Sequence, residues 1–345
     1  MKKSRRNFIK DITYSTFGIC SIPKIIANQT YNIQIKENAA YKKIDKQPFF
    51  NMCGYRAPKI ETVKVGFVGI GNRGYSNLKD MTYLEGVEIK AICDIVQFRI
   101  DEAQQLLLKQ KLPKAKVYTG NEDSWKELCE NADIDLVSIA VPRGPLHAAI
   151  SIYAMKCGKH VAVEVPAITT IEEAWDLVET SEKTKRHCMM MENCCYDFFE
   201  LLTLNMVRQG FFGDLIHADA GYIHYQYPNG YGIKPRDENM WRLKEMQHHK
   251  GNLYPTHGLG PVSQAMNINR GDKYSYMVSM SSNDFTTGKA ISELASKDDF
   301  FKPFDTNSFN GNMNTSIIRT EKGKTIMLQY DITSPRIYSR IHMLS

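Results

Sequence analysis

The period of apolar positions along this chain alternates between two values. Val63–Val68 (V-K-V-G-F-V) is a short valine-rich run, the pattern of a strand buried on both faces. Val87–Asp94 (V-E-I-K-A-I-C-D) and Ile134–Val141 (I-D-L-V-S-I-A-V) repeat it. A helix-like stretch over His147–Cys157, a strand over His160–Glu164, a helix over Thr170–Lys185 and a strand over Cys188–Met191 follow. Strands alternating with helices predict a doubly wound parallel sheet, here over 63–190. Past residue 191 the signal thins. One clear strand, H-A-D-A-G-Y-I-H-Y, covers 217–225, and a loop carrying His257 precedes an apolar helix. The aromatic, turn-rich stretch 225–232 (Y-Q-Y-P-N-G-Y-G) reads as a rim or as a hairpin connection. Residues 28–62 show no sustained period and read as a tether or arm.

A length of 345 residues suggests about two domains. The formal charge of +6 is concentrated at the start: residues 1–27 hold six cations and one anion, Asp11, and so carry +5 of it. The rest is close to neutral, which argues against a nucleic-acid partner, since that needs a concentrated basic face. No apolar run reaches the roughly 18 residues of a membrane-spanning helix, so no stable membrane insertion is expected. The eight cysteines form no C-x-x-C and no metal-like spacing. Cys93, Cys129, Cys157 and Cys188 fall in apolar segments as small hydrophobes, and no metal site is expected. Ser4–Lys10 (S-R-R-N-F-I-K) matches a twin-arginine export signal, followed by a moderately apolar region up to Ala27. The expected partner of that segment is the twin-arginine export machinery, with a periplasmic or cell-surface destination.

Directly after the first strand comes Gly69-Ile70-Gly71-Asn72-Arg73-Gly74, a G-x-G-x-x-G. Its first glycine permits the tight turn, its second lets backbone approach a pyrophosphate, and its third lets the following helix pack closely. Asp94 ends the second strand twenty residues beyond Gly74, where a carboxylate bonds the ribose hydroxyls of NAD and repels the extra phosphate of NADP. Asp94 would serve equally as the cap of a following helix. The strand end Pro142–Leu146 lies on the same ligand-facing edge. Strand, glycine turn and spaced aspartate together predict an NAD-binding domain.

The stretch G-K-H-V-A-V-E-V-P at 158–166 resembles a landmark of the glucose–fructose oxidoreductase and inositol dehydrogenase superfamily, whose members usually read G-K-H-V-x-x-E-K-P. Val165 stands where those proteins carry the lysine that assists proton transfer, and their downstream D-x-x-x-H is absent. With Y-P-T-H-G-L-G-P at 254–261, W-R-L-K at 241–244, M-E-N-C-C-Y-D at 191–197 and S-P-R-I-Y-S at 334–339, the chain looks like one subfamily, the NAD-dependent α-N-acetylgalactosaminidases of glycoside hydrolase family 109. Members of that family continue well past P-R-x-Y-S, so the second domain, 191–345, is expected to be short relative to them.

The resemblance implies a second α+β domain on an open mixed sheet, and NAD as cofactor. It also implies a substrate carrying terminal α-linked N-acetylgalactosamine. The chemistry it implies is a redox-neutral cycle: oxidation beside the anomeric carbon's neighbour, elimination, water addition and reduction. For the cofactor it adds Asn72, Arg73, Arg143, Gly144, Pro145, Leu146, Glu164, Val165, Asn193 and Tyr254. Hydride removal and elimination need a base, and His257 is the candidate, with Tyr254 and Tyr196 beside it for proton exchange. Each has a plainer reading, as a helix-capping histidine or a packed ring. Tyr222 and Tyr338 offer a flat face and a hydroxyl to a sugar; Arg242, Pro255 and Thr256 join them by resemblance. His147 reads as a packing or capping residue of the helix it opens. Two other readings stay open: an NAD-dependent sugar dehydrogenase, disfavoured by Val165, and an exported non-catalytic homologue. The sequence is compatible with a homo-oligomer.

Overall fold

The computed structural model describes residues 50–142, 144–226 and 241–345. The leader at 1–27, the first part of the arm, Arg143 and most of the aromatic stretch 225–232 therefore lie outside the described residues.

The first half is a six-stranded, wholly parallel sheet. Its elements are β1 (Val63–Val68), α1 (Asn72–Met81), β2 (Val87–Cys93), α2 (Gln97–Lys109), β3 (Lys116–Tyr118), α3 (Ser124–Glu130), β4 (Leu136–Ile139), α4 (Leu146–Lys156), β5 (His160–Val163), α5 (Ile171–Thr184) and β6 (Cys188–Met190). The strand order is β3-β2-β1-β4-β5-β6. Leu78, Ile100, Ala103 and Leu107 cover one face; Leu128, Ala148, Ile150, Ala154 and Leu177 cover the other. Burial on both faces is why these strands read as apolar runs rather than alternations. The expected strands are shorter by a few residues at their ends, because backbone pairing stops where the chain turns toward the ligand edge. β3 carries no usable sequence signal, being three residues at the sheet margin with two of them exposed. α5 begins as its sequence suggests, at a capping box in which Thr170 and Glu173 satisfy each other's backbone amides.

The arm is tied down at its end. Ala57 N donates to His187 Nε2 at 3.3 Å, and the Tyr55 ring lies against the His187 ring.

The second half is a mixed sheet in the order β11-β7-β10-β9-β8. It is built from β7 (His217–Ile223), β8 (Tyr274–Ser281), β9 (Met313–Thr320), β10 (Thr325–Asp331) and β11 (Met343–Leu344). β7 and β10 are parallel, and the other neighbours antiparallel. A short 3-10 turn at Asn193–Tyr196 leads from β6 into α6 (Phe198–Arg208). α7 (Trp241–His248), α8 (Thr256–Ala265) and α9 (Thr287–Ala295) complete the helices of this half among the described residues. Val262, Ala265 and Met266 of α8 pack on Ala218 and Ala220 of β7.

The T-H-G-L-G-P run makes that packing close. A Cβ on Gly258 would sit 2.4 Å from Gly221 N in β7, and one on Gly260 would sit 2.9 Å from Cys195 Sγ and 3.0 Å from Glu192 Cγ. The two glycines let the start of α8 seat between β7 and the turn after β6. They set where His257 stands.

Candidate active site

The C-terminal edge of the parallel sheet forms the first part of the site. Gly69 has φ +87, and a Cβ there would lie 2.7 Å from Ala140 backbone, so the turn after β1 folds against the end of β4 at the point where strand order reverses. Gly74 must lack a side chain too, since a Cβ would fall 1.9 Å from Gly69 O. Gly71 differs. A Cβ there meets nothing within 4 Å, leaving an open cradle at the start of α1. No side chain caps that helix and no acidic residue occupies its first turn, so its positive end is available to an anion.

Asp94 is held by Ile70 N at 2.7 Å and Val96 N at 2.9 Å, which fixes its carboxylate beside the glycine turn. The helix-capping alternative is not realised: the N-cap of α2 is Val96, without a side-chain cap, and Asp94 instead closes a turn two residues earlier. Open cradle, uncapped helix and fixed carboxylate fit a dinucleotide. Gly144, with φ +150, and Pro145 lead into α4, with Leu146 46% exposed at the edge. Glu164 follows β5, accepts from Asn77 Nδ2 at 3.1 Å and lies 3.7 Å from Arg73 Nε. Val165 is buried. His147 bridges the Val141 and Pro166 carbonyls at 2.9 and 2.7 Å, a structural tie between the ends of β4 and β5.

The second part is an aromatic cluster. His257 lies in the first turn of α8 rather than in a loop ahead of it, with Pro255 as the cap position and Thr256 opening the helix. Ring centroids lie 4.7 Å apart for Tyr254 and His257, 5.3 Å for Tyr222 and His257, and 4.8 Å for Tyr222 and Tyr254. Tyr338 meets Tyr222 edge-on at 6.3 Å and His224 at 4.7 Å. The segment bearing Tyr338 is pinned by the pairing of Ser339 with Ile223 and by Arg340, which bridges Asp197 and Glu200.

Burial raises the Tyr222 and Tyr254 phenols and pushes Tyr338 up to about 12, so all three remain hydrogen-bond donors at neutral pH. Burial and the nearby Arg242 charge hold His224 below its usual value. Arg242 also opposes the rise at both Tyr222 and Tyr254, which places its charge beside the cluster. Both Glu164 and Glu192 act on Tyr254. Met191 N, just past β6, bonds Val163 O at the end of β5, and the next residue, Glu192, meets His257, which sets the cluster at the C-terminal edge of the parallel sheet.

Glu192 was not among the residues singled out from the sequence. Its Oε1 lies 2.6 Å from His257 Nδ1 and also accepts from Cys194 N at 3.0 Å, capping the turn after β6. Sequence reasoning had no means of pairing residues 65 positions apart, although M-E-N-C-C-Y-D had marked the segment. Two other expected residues are not drawn in. Tyr196 stands 55% exposed at the end of the turn, outside the ring contacts of the cluster, and Asn193 is exposed beside it. A turn that buries Cys194 and Cys195 sends its other side chains outward.

Glu192, Cys194 and His257 bring their donor atoms within 4.8 Å of one another. Two ligands at about 2.0–2.1 Å from a tetrahedral ion would stand roughly 3.3 Å apart. The observed 2.6 Å is instead a closed hydrogen bond. Burial pushes the Cys194 thiol up to about 12, which keeps it protonated.

Comparison with known proteins agrees with both halves. Residues 63–192 match the family described as "Oxidoreductase family, NAD-binding Rossmann fold", and residues 196–345 match "Glycosyl hydrolase 109, C-terminal domain". The chain is 44% identical to the alpha-N-acetylgalactosaminidase of Shewanella oneidensis, over 99% of this chain and 71% of that protein. It is 45% identical to glycosyl hydrolase family 109 protein 1 of Bacteroides fragilis, over 85% of this chain and 61% of that protein. In fold it is similar to apo scyllo-inositol dehydrogenase from Lactobacillus casei, with a TM-score of 0.60 at 15% identity, covering 82% of this chain and 72% of that one. Myo-inositol dehydrogenase from the same organism, solved with NAD(H) and myo-inositol, gives 0.58 at 20% identity, covering 82% of this chain and 74% of that one. The parallel sheet is an NAD-binding domain, and the chain belongs to glycoside hydrolase family 109.

Proposed function

We propose that this chain hydrolyses terminal α-linked N-acetylgalactosamine, with NAD held in the cradle at Gly71 throughout the turnover. The observation that carries the reading is the contact of His257, within the Tyr222–Tyr254–His257 cluster, with Glu192, which stands just past β6 at the ligand-facing edge of the NAD-binding sheet. When bound, NAD supplies reversible hydride acceptance at a hydroxyl-bearing ring carbon, which makes the hydrogen on the adjacent carbon acidic.

The chain supplies the rest. His257 takes that proton and later returns one, a contribution of about 10²–10⁴ in rate. The hydroxyl proton freed on oxidation passes through the Tyr254 phenol to water, the phenol then donates to the oxygen of the oxidised carbon, and the expelled group leaves as its alcohol with a proton from water. Tyr222 and Tyr338 give the sugar an apolar face with hydroxyls at its rim, and Arg242 orients its polar groups. Val165 fits this division of labour. A lone dehydrogenase would want a lysine there to take the alcohol proton, whereas here the acid–base groups come from α8 and its approach.

The test is incubation of purified protein with p-nitrophenyl α-N-acetylgalactosaminide and no added cofactor. The expected result is nitrophenol release with no net NADH. NADH accumulating with a free sugar would establish the dehydrogenase reading instead, and no product from protein that retains NAD would leave a non-catalytic homologue.

The leader belongs to the same proposal. A route that carries folded proteins suits an enzyme that must load its dinucleotide before export, and S-R-R-N-F-I-K supports that route. Replacing Arg5 and Arg6 together by lysine should leave the protein in the cytoplasm, as read by fractionation; unchanged export would refute it.

A further inference from the structure

We propose that Glu192 is the positioning residue of His257, fixing its proton on Nδ1 and leaving Nε2 as the basic nitrogen presented to substrate. The inference rests on the reading of His257 as the base and assigns a partner to it. Glu192 is 4% exposed and His257 8%, so neither exchanges its partner for water at will. The carboxylate is held from two sides: Oε1 accepts from His257 Nδ1 at 2.6 Å and from Cys194 N at 3.0 Å.

The hydrogen bonds and the histidine outweigh the cost of burial and hold Glu192 below its usual carboxylate range, and the Thr256 hydroxyl adds to the effect. Its second oxygen is buried and outside hydrogen-bonding geometry with any donor among the described residues. An ionised carboxylate accepts only. The hydrogen in the 2.6 Å contact must therefore sit on Nδ1, and a neutral ring then carries its lone pair on Nε2. When the substrate proton moves to Nε2, the C–H electron pair stays on the substrate, drawn toward the neighbouring carbonyl. The positive charge created on the ring faces Glu192 at hydrogen-bond distance. That charge is worth most in a site closed to water.

Gly260 is part of the arrangement. Its missing side chain leaves room for Glu192 Cγ, which a Cβ would approach to 3.0 Å. α8 can then bring His257 onto the carboxylate. Among the described residues, the other acidic groups acting on this part of the site are Glu164, through Tyr254, Glu200, through Cys195, and Asp197, through Tyr338. None of these carboxylates is hydrogen-bonded to His257.

The experiment compares full-length wild type with Glu192→Gln and Glu192→Asp, each purified with its own NAD. Glu192→Gln should lower kcat at least about a hundredfold while KM stays within about threefold, since the pairing acts on the proton in flight and not on sugar binding. The NAD content read by absorbance should not change, and Glu192→Asp should recover part of the rate. Nitrogen-15 NMR of the His257 ring should show the proton on Nδ1 in wild type and a mixture of tautomers in Glu192→Gln.

An inactive wild type that still keeps the proton on Nδ1, and loses that preference in Glu192→Gln, would count against the glycosidase reading and for the pairing. A wild-type proton on Nε2 would overturn the proposal, as would a Glu192→Gln kcat within about threefold of wild type. Loss of kcat, NAD and melting temperature together in both variants would also overturn it, marking Glu192 as a folding residue.

Discussion

At the scale of single residues, the site depends on a charge kept in a place that disfavours it. Burial alone would raise Glu192, and its donors reverse the sign. The usual value is 4.5, so the stabilisation from this pair is fully present above that pH and is lost as pH falls through the lower value of the folded state. Glu192→Gln should accordingly be less stable than wild type at neutral pH, by about 1–2 kcal/mol for a charge-assisted bond made neutral. The gap should narrow as the solution is acidified below the normal glutamate range. Thermal melts of both proteins from neutral pH down to about pH 2 would check it; a constant gap over that whole range would place the effect outside the titration of this carboxylate.

Much of the residue-level site was legible in advance. His257, Tyr254, Tyr222 and Tyr338 were named from their motifs and come together. Glu192 was not, because a hydrogen bond between segments 65 residues apart leaves no local pattern. Tyr196 lies in the same motif and stands exposed, outside the ring contacts of the cluster.

At the scale of elements, the first half announces itself because strands buried on both faces repeat one simple pattern, and because glycines with fixed offsets have one structural use. The short strand β3 and most of the second sheet do not. β7 alternates only in part and β8 is exposed along its whole length; β9 alternates throughout, but three of its four buried residues are the polar Asn314, Ser316 and Thr320, so no apolar period stands out. Without the superfamily resemblance carried by G-K-H-V-A-V-E-V-P the mixed sheet would not be expected; the narrower resemblance rests on Y-P-T-H-G-L-G-P.

That motif is the element on which the site turns. Gly258→Ala would force a Cβ within 2.4 Å of the β7 backbone, which cannot yield as a flexible side chain would. The expected cost is about 1–3 kcal/mol of stability, as for an overpacked core, with turnover falling further than stability accounts for. A melt together with kcat measured well below the melting temperature would show it; a variant with both unchanged would mean that α8 does not need this approach. Pro261 within the same helix removes an amide that would otherwise bond back toward His257, so the first turn of α8 is held by packing more than by the helix itself.

At the scale of the whole molecule, an export-type leader and an NAD-binding domain first look mismatched. A cofactor that begins and ends each turnover in the same state needs no external pool, and the export route we propose for the leader requires no unfolding. The two features therefore fit one enzyme. On the proposed mechanism the proton beside the oxidised carbon is removed and replaced during each hydrolysis. Turnover of p-nitrophenyl α-N-acetylgalactosaminide in heavy water tests this, with the released sugar analysed for deuterium by mass and position. Deuterium is expected at the ring carbon that bears the N-acetyl group. Hydrolysis that leaves that carbon fully protiated would contradict it.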